Sequence, residues 1–217
     1  MPTPSEILQV LAAISNEQVK PAIFWHVLIA ITVIGISLGW RPVKKAGAMA
    51  LAIPLLSVSL LAWAYGNPFN GLVFLLAAIA VLALGVHQTF EKVDRAPVWA
   101  AVAGAIMITF GWVYPHFLQA GGWFQYLYRA PSGLIPCPTL SFVTGFALLA
   151  NGFSSRALSV TLGTLGLFYA VFGAFRLGVR IDLILMLGAA ALLTLALRPG
   201  FGASAARPGC RNLKKYS

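Results

Sequence analysis

Charge is what this sequence has least of. Of its 217 residues, 9% are Asp, Glu, Lys or Arg, and five of these are acidic. Soluble domains carry roughly a quarter charged residues, so the composition excludes a soluble globular protein and leaves a membrane protein. No polar stretch is long enough to build a second core, which excludes a separate soluble domain. Cysteine is scarce as well. Cys137 and Cys210 are the two present, far apart and without a CxxC pair, which excludes a disulfide framework and a zinc ribbon. Of the three histidines, none stands at a metal-ligand spacing from another ligand. The first twenty residues carry Glu6 and Glu17 and lack a basic n-region, so a cleavable signal peptide is not expected. The glycine-rich stretches lie inside apolar runs without a P-loop lysine, so no phosphate loop is read.

What the chain does have is apolar length. Hydrophobic residues make up 59% of it, and a membrane-crossing helix needs about twenty such residues. Seven stretches meet or approach that requirement: Ala22–Trp40, Ala46–Tyr65, Phe69–Gln88, Pro97–Phe117, Gly133–Phe153, Ala157–Phe175 and Ile181–Leu197. The third and seventh are the cleanest; the fifth is short. The expected fold is all-α, a polytopic bundle of about seven transmembrane helices over 22–198. A short amphipathic helix precedes it within 1–21, and a basic disordered cytoplasmic tail follows over 199–217. Thr3, Pro4 and Glu6 form a capping-box arrangement, and Ile7, Val10, Leu11 and Ile14 recur on one helical face. That helix is expected at the outer surface, as a cover over the end of the bundle.

The net charge of +10 is distributed as topology signals are, which argues against nucleic acid as a partner. Among internal loops, Arg41, Lys44, Lys45, Lys92, Arg95 and Arg156 fall on one side, and Arg129, Arg176 and Arg180 on the other. The positive-inside rule then places the N-terminus outside and the C-terminus in the cytoplasm. Trp25, Trp63, Tyr65, Trp112, Tyr114, Trp123, Tyr126 and Tyr128 would form an outer aromatic belt, with Trp40 and Trp99 in the inner one. Small residues, Gly35 and Gly39 in the first span and Ser159, Gly163, Gly166 and Gly173 in the sixth, are read as helix-packing positions.

On this topology, polar residues converge at the outer face: His26, Asn67, Asn70, Tyr114, His116, Cys137, Arg176, Arg180 and Asp182. Pro136 and Pro138 flank Cys137. Proline lacks an N–H and restricts the residue before it, so helix is expected to begin at or after Pro138, with 133–137 as non-helical backbone. Two readings of Cys137 stand side by side: a small buried hydrophobe at a helix stop, or an active thiol favoured by the positive end of the helix dipole. Asp182 is the one acidic residue close to a span, and a charge at membrane depth is a functional candidate by default. The structural alternative pairs it with Arg176 or Arg180 and places it as a helix cap. Cys137 and His116 are candidate metal ligands, although no local spacing supports a metal motif.

The stretches YP at Tyr114–Pro115, PCPT at Pro136–Thr139 with Phe142, Gly145 and Leu148–Leu149, and Gly173, Phe175, Gly178, Val179, Asp182 and Leu183 together resemble a family of bacterial integral membrane proteins catalogued as a domain of unknown function. The resemblance covers the chain from its N-terminal helix to about Leu197. The sequence departs from it in the tail and in having Phe168 and Tyr169 where relatives carry a tryptophan. It implies a compact multi-pass protein of a bacterial inner membrane and no particular activity.

The leading functional expectation is transport or handling of a small solute or metal ion at an outward-facing site made of Cys137, His116, Tyr114, Asp182, Arg180 and His26. The alternative is a non-enzymatic accessory subunit of a larger membrane complex, docked through the aromatic outer loop. A homo-oligomer is compatible with either, and no inverted repeat is visible. An enzyme with Cys137 as nucleophile lacks a base and an orienting group at local spacing. Haem ligation by His26 and His116 would need them opposed across the bundle. The cofactor is left open.

Overall fold

The computed structural model describes residues 3–119, 121–199 and 201, and among them every regular element is helical. Ten α-helices follow in order: α1 (Pro4–Glu17), α2 (Val19–Ser37), α3 (Lys44–Ala50), α4 (Ala52–Ala64), α5 (Pro68–Val86), α6 (Val98–Val113), α7 (Tyr126–Arg129), α8 (Pro136–Leu149), α9 (Arg156–Val171) and α10 (Leu183–Ala196). Four stretches are long and apolar enough to cross a membrane: Val19–Ser37, Lys44–Ala64, Pro68–Val86 and Arg156–Arg176. Helices α6 and α8 are apolar but shorter, at 16 and 14 residues. Helix α10 also has 14, so the seventh stretch is not among the longest spans. Arg180–Asp182 forms a 3₁₀ turn and delays its α-helix to Leu183.

Local chemistry explains where the helices begin and end. The capping box at Thr3 is formed: the Glu6 carboxylate accepts the Thr3 N–H at 2.7 Å, and Thr3 Oγ1 accepts the Glu6 N–H at 3.3 Å. Helix α5 starts on Pro68 behind Asn67, whose side chain accepts the Asn70 N–H at 3.1 Å. Helix α6 stops at Val113 because Tyr114 precedes Pro115 and leaves helical geometry.

Gly35 and Gly39 are not helix-packing positions as expected. They belong to a Schellman end of α2 in which Gly39, at φ +90°, donates to Ile36 O and Trp40 donates to Gly35 O, both at 2.9 Å. Only glycine takes that conformation without cost.

The fifth stretch is likewise not one continuous helix to Phe153. After Leu149 the chain makes a left-handed turn, with φ near +50° at Asn151, Phe153 and Ser154 and +57° at Gly152. The turn buries the Phe153 ring and directs Ser154 Oγ to Asp94 Oδ2 at 2.5 Å. Nearby, Lys44 Nζ reaches Asp94 at 2.9 Å and Glu91 at 3.3 Å.

The core lies among α4, α5, α6, α8, α9 and α10, with α8 the most completely buried helix. Glycines set the closest approach: a Cβ on Gly104 would stand 2.8 Å from Gly145 O, and one on Gly145 equally near Gly104 O. Gly163 admits Leu193 of α10, and Gly166 faces Ala189, as expected of packing glycines. Helix α2 stands apart. In its apolar window 22% of residues are buried, against 39–44% in the other three long stretches.

Two members of the expected outer belt are core residues instead. Trp25 and Tyr114 are buried, and the Trp25 N–H donates to Ser57 Oγ at 3.2 Å. Most of the expected disordered tail lies outside the described residues, Cys210 included. Of the part that is described, Phe201 packs against the core.

Candidate functional site

The site is assembled by the segment that leads into α8. Pro131 O accepts the Leu134 N–H at 3.1 Å and the Ile135 N–H at 3.3 Å. Gly133, at φ +77°, lies flat against the Trp25 ring, where a side chain would collide. Its N–H donates to Thr139 Oγ1 at 2.9 Å, and its carbonyl accepts from Ser57 Oγ at 2.7 Å. Ser132 Oγ donates to Gly111 O. A buried non-helical approach is thereby satisfied within the protein, as backbone shielded from water requires.

Helix α8 begins at Pro136, not at or after Pro138, and takes in the whole Pro-Cys-Pro triplet. The physical reason is positional. A helix's first four N–H groups have no partner inside the helix, and a proline there has no preceding turn to clash with. Here those four groups belong to residues 135 to 138. Ile135 donates to Pro131, and the two prolines have no N–H, so Cys137 carries the one first-turn donor left to place. The triplet is a way to start a helix in an apolar interior with almost no orphaned donors. The preference of a residue before proline for extended backbone yields to it at Cys137.

That start sets Cys137 beside Asp182. The Cys137 thiol donates to Asp182 Oδ2 at 3.1 Å, and the Tyr114 hydroxyl donates to Oδ1 at 2.7 Å. Asp182 is 1% exposed and Tyr114 is fully buried. Asp182 stands at the N-cap position of α10 without making a side-chain cap bond. Its carboxylate turns instead toward the Phe172–Arg176 segment, a π-helical turn that ends α9. Gly173 in that turn leaves the space the carboxylate occupies, since a Cβ there would overlap it. Such wide turns recur at functional sites. A second polar pair lies close by: the Tyr169 hydroxyl donates to Asn70 Oδ1 at 2.9 Å, both residues being buried.

Cys137, Asp182, Tyr114, Asn70 and Tyr169 line one cavity of about 20 Å³, with Ile7 and Leu11 of α1 also in its wall. That volume admits one water molecule. Helix α1 is fastened over it at its C-terminal end. Asn16 Nδ2 donates to Phe117 O at 2.8 Å, and Asn16 Oδ1 accepts the Gln119 N–H at 3.0 Å. Gln18 donates to the Tyr65 hydroxyl, which donates to Glu17, both at 2.8 Å.

Of the residues singled out in the sequence, the structure brings together Cys137, Tyr114 and Asp182, on the frame set by Pro136 and Pro138. Asn70 joins them in the cavity wall, whereas His26, His116, Asn67, Arg176 and Arg180 do not. Arg176 and Arg180 are exposed, and among the described residues neither forms an ion pair with Asp182. His26 is buried with Nδ1 2.9 Å from Ala22 O and Nε2 3.0 Å from Trp112 O. Each ring nitrogen faces a backbone carbonyl, to one of which a neutral imidazole donates, and neither points into the Cys137 cavity, which opposes the haem and metal readings for it. His116 packs edge-on against Phe117, its ring centroid 4.3 Å away, outside the cavity lining. Among the described residues no three His, Cys, Asp or Glu side chains converge as a metal site.

Sequence reading missed Tyr169, placed Asn70 only at the outer turn, and assigned Gly173 to packing. Asp182 also supplies the carboxylate beside the thiol that an enzyme reading lacked, with Tyr114 orienting it. A cavity for one water leaves no room for an organic substrate, however.

Comparison of the chain with family models, curated proteins and solved structures found no match.

Proposed function

We propose that this is a seven-span protein of a bacterial inner membrane, N-terminus outside, that handles a small cation at the Cys137–Asp182 site. Three shorter apolar helices, α6, α8 and α10, complete the four long stretches to seven, and the loop arginines and lysines favour this orientation. One observation carries the functional reading. The Asp182 carboxylate is buried and held by two neutral donors, a phenol and a thiol, with no cationic side chain paired to it among the described residues. An isolated carboxylate at such depth is costly, and a proton or one dehydrated metal ion offsets the charge. The thiol beside it favours a soft ion, with Asn70 within the same cavity. The family resemblance brings no activity of its own to this reading.

The test is flux into sealed vesicles of the purified full chain, followed with a pH-sensitive dye and with a dye for zinc or copper(I). Uptake of one of these cations, abolished by Asp182→Asn and reduced by Cys137→Ser, is expected. A protein that moves and binds none of them, in correctly inserted vesicles, would refute it.

The accessory-subunit reading rests on a different surface. Trp123 and Phe124 stack with ring centroids 4.0 Å apart and are 64% and 62% exposed on the loop before α7. Co-purification of a membrane partner that is lost in Trp123→Ser, with flux absent, would make this the correct account.

A further inference from the structure

A second cavity, larger than the one at Cys137, lies elsewhere in the bundle. It is a groove of about 750 Å³ between α2 and the body of the bundle, where α3, α4 and α8 form the opposite wall. Its lining is apolar along its length apart from Thr32, whose hydroxyl is satisfied by Leu28 O at 2.8 Å. At one end Trp25 and Phe142 close it, with ring centroids 6.2 Å apart. At the other end stand Trp40, Arg41, Asp94 and Arg95. From Trp25 to the end of α2 at Ser37 is twelve residues, about 18 Å of helix. One leaflet's hydrocarbon is about 15 Å deep, half of a ~30 Å core.

We infer that this groove binds an anionic phospholipid of the leaflet on the Arg41 side, one acyl chain lying between α2 and α8 and the phosphate at Arg41 and Arg95. Three observations select that occupant. The groove is one leaflet deep and closed at its inner end, which fits a single acyl chain and does not suit a spanning helix of a partner. Its only charges are at the mouth, where headgroups lie. Those charges are net basic: two arginines, Arg41 and Arg95, both exposed, stand against one carboxylate, Asp94, which Lys44 at 2.9 Å and Ser154 at 2.5 Å already hold. Basic pockets between membrane helices bind anionic headgroups on this principle. The left-handed turn that buries Phe153 also serves the groove, since that ring lines it and packs against Gly47. Without a chain in the groove, α2 would have little to lie against along this face.

The experiment is native mass spectrometry of the full chain, stripped of lipid in detergent and then given equimolar palmitoyl-oleoyl phosphatidylglycerol and phosphatidylcholine. A single phosphatidylglycerol adduct is expected, preferred by about fivefold for each arginine. The double substitution Arg41→Gln with Arg95→Gln should remove the preference while leaving residual binding of either lipid. Ala50→Trp, which places an indole in the groove from an exposed position, should remove the adduct altogether. Equal retention of both lipids by the unaltered chain would overturn the inference. So would an adduct unaffected by Ala50→Trp, or a lipid-free dimer in which cross-linking places a second copy against α2. Retained helical circular dichroism and a single gel-filtration peak establish that each variant is folded.

Discussion

Gly173 and Asp182 share one space: the carboxylate fills the position that a side chain on residue 173 would take. Alanine at 173 would gain helix propensity, about 0.5–1 kcal/mol, but would force the buried carboxylate away from its two donors. Overpacking of this kind costs about 1–3 kcal/mol. Gly173→Ala is therefore expected to lower the melting temperature in detergent and to loosen the hydrogen bond to Cys137. A melting temperature at or above that of the parent would show the carboxylate free to move.

The Asp182 carboxylate gives Tyr114 and Cys137 their acceptor. Asp182→Ala leaves the buried Tyr114 hydroxyl and the half-buried Cys137 thiol without a partner, at a cost of about 1–3 kcal/mol for the unsatisfied buried group. Asp182→Asn keeps an acceptor oxygen and should be the milder change in stability while still abolishing cation handling. Thermal unfolding of the two variants side by side decides it; equal losses would mean that the hydrogen bonds contribute nothing.

Proline at 138 spares the start of α8 an orphaned N–H. Pro138→Ala restores that donor in a buried setting and is expected to destabilise by about 1–3 kcal/mol. Pro4→Ala, at the first turn of the surface helix α1, meets water instead and should change stability by about 0.5 kcal/mol or less. If the two substitutions behave alike in thermal melts, the donor argument fails.

Access to Cys137 runs past α1. In a Cys210→Ser background, maleimide should label Cys137 slowly, because the thiol borders a cavity for a single water. Asn16→Ala removes the two bonds that tie α1 to residues 117 and 119. With each net hydrogen bond contributing about 1 kcal/mol, local opening and labelling should rise by roughly fivefold or more. Unchanged labelling would place the way in elsewhere.

The Lys44–Asp94 cluster predicts an acid-sensitive face. The hydrogen bond from Ser154, with Lys44 beside it, holds the Asp94 carboxyl below its ordinary 3.8. Its folded pKa is thus lower than its unfolded one, so its contribution is present above about pH 4 and lost as pH falls through the lowered value. Asp94→Asn should flatten the stability profile below pH 4 and leave neutral pH least changed in slope. A profile that retains its full acid slope in Asp94→Asn would assign the effect to another carboxylate.

Periodicity and composition made the helices legible, because apolar runs and the Thr3–Glu6 capping box are local signals. Asp182 and Cys137 were also legible, one as a charge where charge is costly, the other through its prolines. What was not legible is what depends on distance across the fold. Arg180 lies two residues from Asp182 in the chain but turns to solvent, while Tyr114, 68 residues away, makes the bond. Nothing local in the sequence could rank those partners. Gly173 could not be separated from Gly163 and Gly166 either, since all three recur at helical spacing and only the π turn tells them apart. The Pro-Cys-Pro triplet misled because general rules for proline describe helix interiors, whereas these prolines occupy the one turn in which an absent N–H helps.

Counting hydrogens at Asp182 gives the site a property that distances alone do not express. With the carboxylate ionised, two hydrogens, from Tyr114 and Cys137, meet two oxygens, and each has a place. Adding one proton makes three hydrogens around the same pair of oxygens. One of them must turn to a new acceptor, and the space for a single water is where that acceptor can stand. A protonation there is therefore also a change in hydration: as the carboxylate loses its charge, the cavity gains its water.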